Sequence, residues 1–151
     1  MNAGYLQEQQ SKSETKLANG DPDGAITNAR TLLEAMLLEM WRGLSNEVLD
    51  DYDGDVARLY RKVVPLLDLG AGNDKKAEAS LKQALGGLSG VVSGIAGMRN
   101  VMSDAHAHIS PTEDRHARLA INAVATICSF LLDSYSIAMR QPHNRSKQTA
   151  T

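Results

Sequence analysis

The stretch AITNARTLLEAMLLEMWRGL, residues 25–44, carries apolar side chains at 25, 29, 32, 33, 36, 37, 40, 41 and 44. Steps of three and four residues follow the helical turn, and the two-residue alternation of a strand is missing. The apolar stripe is broad, so this helix is expected to be buried over much of its circumference. The preceding NGDPDG supplies a start signal. Asp21 stands as N-cap, with a carboxylate for the free amides of the first turn, and Pro22 takes the first helical position, where no amide hydrogen is needed. Gly43 and the polar run SNEVLDDYDGD end the helix.

The same spacing recurs along the chain. Over about residues 55–68, VARLYRKVVPLL places Val56, Leu59, Tyr60, Val63 and Leu67 on one side, and Pro65 is expected to kink or trim the last turn. LGAGND is a loop. It contains G-x-G, but Lys75 stands where a dinucleotide fingerprint needs glycine and no strand precedes it, so it is not a phosphate loop. A helix from near residue 73 to about 104 carries Leu81, Leu85, Leu88, Val92, Ile95 and Met102 at helical intervals. SPTE then reads as a capping box, with Ser110 as N-cap, Pro111 in the first turn and Glu113 reaching back. It opens a long helix to about residue 139. Residues 1–20 form a polar arm or a loosely packed leading helix, and residues 140–151 a flexible polar tail. The expected fold is all-α, an up-and-down bundle of four to five helices over residues 21–139.

Composition agrees. The 151 residues suit one domain, and an aromatic share of 4% leaves the core to Leu, Ile, Val, Ala and Met. A formal charge of −2 argues against gripping nucleic acid by bulk electrostatics, though not against a local basic cleft. The single cysteine, Cys128, excludes an internal disulfide, fits a reducing compartment, and reads as a small buried hydrophobe. The longest uncharged runs, residues 84–98 and 119–132, are shorter than the ~20 apolar residues of a membrane span. A membrane is therefore not an expected partner, and the expected location is the cytoplasm.

Three glycines, Gly86, Gly90 and Gly94, recur every four residues along one stripe of the fourth helix. Each costs a helix about 1 kcal/mol relative to alanine, so a reason is required. Tight packing inside the bundle, a close subunit contact and a broken helix are the three readings.

Chemistry concentrates just beyond, in RNVMSDAHAH, residues 99–108. Arg99 and His106 are seven residues apart, about 10 Å along a continuous helix. A guanidinium can hold two phosphate oxygens while an imidazole, titrating near neutrality, moves protons on a ribose 2′-OH or a departing 5′-oxygen. Asn100 adds a neutral hydrogen bond, and Asp104 can orient the histidine. Such a pair cleaves RNA without metal, leaving a 2′,3′-cyclic phosphate. Spacing alone is weak support, and on that ground a helix-end arginine with a solvated histidine is the default reading. Four histidines and one cysteine offer no zinc-like set, so no metal is expected.

The blocks GDPDGAITNARTLLEAMLLEM, LYRKVVPLLDL, GLSGVVSGIAGMRNVMSDAHAH and DRHARLAINAVATICSFLLDSY together resemble the C-terminal domain of abortive-infection proteins, a family grouped with the HEPN superfamily of helical bundles. The resemblance implies a metal-independent endoribonuclease of phage defence or toxin–antitoxin function, with RNA as substrate and no cofactor. Arg99 and His106 match the superfamily's arginine–polar–histidine motif at its longest spacing, with Asn100 as the polar follower, and by resemblance they carry catalysis. It further implies a homodimer in which two motifs share one cleft, and a neutralising antitoxin or other defence protein as partner. A non-catalytic module binding RNA or protein is the alternative. Arg115, His116 and Arg118, in the DRHAR block, are candidate RNA-phosphate ligands at a helix start, against a plain surface or structural role.

Overall fold

A computed structural model describes residues 3–45, 47–49, 52–67, 75–102 and 112–140. It contains helices α1 (Ala3–Ala18), α2 (Pro22–Leu44), α3 (Val56–Val63), α4 (Lys75–Met102) and α5 (Asp114–Arg140). A 3-10 turn at Val64–Leu66 follows α3, and no strand occurs among the described residues. The fold is the expected all-α bundle.

Helix ends follow local chemistry. Asp21 accepts from the Gly24 amide at 2.8 Å with Pro22 beside it, so α2 begins where its signal lies. Before that cap, Gly20 takes φ +76°, a left-handed conformation that glycine adopts without penalty. The Asp21 amide returns to the Lys16 carbonyl at 2.9 Å, closing α1 against the start of α2 in a Schellman-like turn. Asp55 caps α3 by accepting from the Arg58 amide at 2.9 Å. Pro65 falls in the 3-10 turn, so α3 tightens at its end, as its position implies.

The apolar stripe of α2 is the spine of the molecule. Leu33, Met36 and Leu37 are essentially inaccessible, and α2 packs on α1, α3, α4 and α5. From α5 come Ile127, Cys128 and Leu131; from α3, Leu59, Tyr60 and Val63. By length and composition α5 would suffice to cross a membrane. Its buried residues instead form one stripe against α1 and α2, while Leu119, Ile137 and Met139 face outward.

The N-terminal segment is the leading helix rather than the arm, and it is less loosely packed than expected: α1 packs on both α2 and α5, burying Leu17 and Ser13. The polar surface of α1 faces outward, and one narrow stripe suffices to hold it. The glycine stripe also differs. The helix runs unbroken through it, and a Cβ at Gly86, Gly90 or Gly94 would meet nothing within 4 Å. At about 100° per residue, these glycines fall opposite Leu88, Val92 and Ile95, which face the bundle. Packing against the described helices is therefore not their reason. Close approach occurs at Gly43 of α2, where a Cβ would collide with the Tyr135 hydroxyl of α5.

A polar clasp fastens the α2–α3 connection. Arg30 pairs with Glu34 at 2.9 Å and donates to the Gly54 carbonyl at 2.7 Å, while the Tyr52 hydroxyl donates to Glu34. Burial, then this bond to a carboxylate, holds Tyr52 well above the ordinary tyrosine range.

Candidate functional site

The motif lies at the end of α4. The backbone of Arg99 and Asn100 is helical, within α4 as described to Met102. Both side chains, together with Asp104 and His106, lie outside the described residues. The rest of the described α4 leads to the motif with a bundle-facing stripe of Leu81, Leu85, Leu88, Val92 and Ile95, and a bare glycine stripe on the far side.

The second candidate cluster lies at the start of α5, and its three residues do not converge. The helix begins at Asp114, three residues later than the capping-box reading placed it. Glu113 is the N-cap by backbone, its carbonyl accepting from the His116 amide at 2.9 Å. His116 stands three positions on, and its Nδ1 accepts from the Glu113 amide at 3.3 Å. The imidazole thereby does what a glutamate does in a capping box. Ser110 and Pro111 lie outside the described residues. Asp114 in the first turn adds a favourable charge for the helix dipole.

That local bonding occupies the cluster. Arg115 pairs with Glu113 at 2.9 Å, both side chains largely exposed. Arg118 lines a cavity of about 250 Å³ between α1 and α5 that also contains Glu14, Asp114 and Asn122. Two carboxylates line that cavity with one guanidinium, so its charge does not favour phosphate. His116 spends its Nδ1 on the helix start.

Other polar groups serve the structure. Cys128 is fully buried, and burial pushes its thiol up to about 12, so it is not a nucleophile at neutral pH. Tyr60 is buried as well. Its hydroxyl has no partner among the described residues, and burial raises its pKa. Lys62 lies 5.6 Å from the centroid of the Trp41 ring, a cation–π contact at the bundle edge. Among the described residues no three His, Cys, Asp or Glu gather to hold a metal ion.

Residues 4–135 match the family Abi_C, described as a HEPN-like domain. This chain is an Abi_C HEPN-like domain. The match starts within α1 and ends within α5, so every helix of the bundle belongs to the Abi_C domain, α1 included. It supports an abortive-infection-associated module and encloses the segment holding Arg99, Asn100 and His106. No curated protein and no solved structure matches the chain.

Proposed function

We propose that this Abi_C domain is a metal-independent endoribonuclease acting in the cytoplasm in phage defence or as a toxin. The supporting observation is the arginine–asparagine–histidine pattern at Arg99, Asn100 and His106, inside a HEPN-like match that spans the bundle. Arg99 neutralises charge gathering on the phosphate, and His106 carries the proton from the 2′-OH or to the 5′-oxygen. Asn100 hydrogen-bonds phosphate or ribose, and Asp104 orients the imidazole. DNA, which lacks the 2′-OH, is not a substrate.

Two copies supply the two imidazoles that an acid–base pair needs. The open glycine stripe of α4 supports such pairing, since none of the described residues covers it and it leads toward the motif. Small residues let two helix backbones approach closely. A neutralising protein partner would act by covering the same end of the molecule.

A non-catalytic binding module is the second reading. It is favoured by the net charge of −2 and by the local engagement of Arg115 and His116, which leaves few free cations at the start of α5.

One experiment separates them. Wild type, Arg99→Ala, His106→Ala and Gly90→Leu are compared for RNA cleavage, end chemistry, growth arrest and mass in solution. The nuclease reading expects 2′,3′-cyclic phosphate ends from wild type and loss of cleavage by about 10²-fold or more in both motif variants, the scale of a lost acid–base or charge-stabilising group. It also expects Gly90→Leu to be monomeric. RNA left intact by wild type, or cut equally by both motif variants, overturns it. Assembly that responds to Gly90→Leu without any cleavage selects the binding module.

A further inference from the structure

Between α1 and α5, above α2, lies a half-open cavity of about 220 Å³ whose described lining comes from these three helices alone. Its space comes from small residues: Ala29 on α2, and Ala125, Cys128 and Ser129 on α5 leave a void where α1 crosses them. The inner wall is apolar, formed by Leu32 and Val124 with the neutral thiol of Cys128. The rim is polar, with Gln7 and Gln10 of α1 facing Asp133 of α5. Asp133 is exposed and forms no ion pair among the described residues.

Size and charge together define an occupant. A dry apolar cavity of ~150 Å³ holds benzene, so this one has room for a ring and a short arm. A lone carboxylate at the mouth favours an arm that ends in a cation, and the two glutamine amides can complete its hydrogen bonding. We propose that this cavity is a binding site for a small amphiphilic cation, an aromatic or branched apolar body carrying a primary ammonium. Because α1 is one wall of the cavity, the ligand bridges α1 to α5 and holds the first helix on the bundle. None of its lining residues is a member of the proposed catalytic motif, and it does not depend on that motif.

Benzylamine, toluene and benzoate, each added alone to the full chain, are the probes. Amide shifts in NMR spectra and thermal unfolding are the readouts. Benzylamine is expected to bind saturably, shifting the amides of Leu6, Val124 and Cys128 and raising the unfolding temperature. Toluene should bind at the same place more weakly, and benzoate not at all. Asp133→Asn should weaken benzylamine about three-fold, the scale of an exposed ion pair, and leave toluene unchanged. Ala125→Leu fills the cavity and should abolish both. Should that variant fail to fold, Ser129→Leu, at an exposed position, blocks the mouth with the same expected result. Benzylamine and benzoate acting alike, shifts spread away from the cavity walls, or unchanged binding in the folded plug variant would each overturn the proposal.

Discussion

Gly43 and Gly90 are both helical glycines, yet substitution should move stability in opposite directions. Alanine at Gly90 meets open space and removes the flexibility of glycine, so Gly90→Ala should stabilise the isolated chain by about 1 kcal/mol. Alanine at Gly43 gains the same propensity but drives its methyl into the Tyr135 hydroxyl, and overpacking of that kind costs about 1–3 kcal/mol. Gly43→Ala should therefore lower the urea midpoint, and adding Tyr135→Phe should recover part of the loss. The sequence shows the periodic stripe plainly and hides the glycine that packing requires. Periodicity is local, whereas the contact at Gly43 is made by a side chain from the far end of the chain.

Among the elements, α2 was the most legible. Its spacing, cap and proline act within one helix, and Asp21, Pro22 and the buried positions appear where the pattern puts them. The start of α5 was less so. Ser110 and Glu113 satisfy the capping-box pattern, but Glu113 and His116 satisfy the same geometry three residues on, with an imidazole nitrogen as the acceptor. The functional motif shares this limit. Its residue types and order are readable, and whether Arg99 and His106 meet is decided by the path of the chain between them, which spacing does not fix. The clasp on α2 offers a test at this scale. Glu34→Gln removes the charge that both Arg30 and Tyr52 address, leaving two half-buried donors poorly matched. Chemical denaturation should show a loss of about 1–3 kcal/mol. Tyr52→Phe, which deletes one donor only, should cost less.

For the whole molecule, alkali is the sensitive direction. Cys128 ionises near 9.0 when unfolded and only at about 12 in the bundle, because burial disfavours the thiolate. The folded state keeps its proton after the unfolded state has lost it, so the contribution of Cys128 to stability is level below pH 9 and falls from there to about 12. Tyr52 and Tyr60 are raised too, and they steepen the decline above their ordinary value of 10.0. Unfolding temperature measured against pH should fall through this window, and Cys128→Ala should flatten its first part. A profile level to pH 12 would contradict a protonated, buried thiol. Hydrogen exchange should also divide the fold. Amides of α4, which buries only Val92 and Ile95 among its described side chains, should exchange faster than those of α2.

The pairing of α1 with α5 joins the first helix of the bundle to be made to the last. Until Ile121 and Val124 emerge, Leu6 and the inner side of α1 have only α2 to lean on, and the nascent chain carries an uncovered greasy seam. A chaperone that shields such seams has its longest window here, while α3 and α4 are being made.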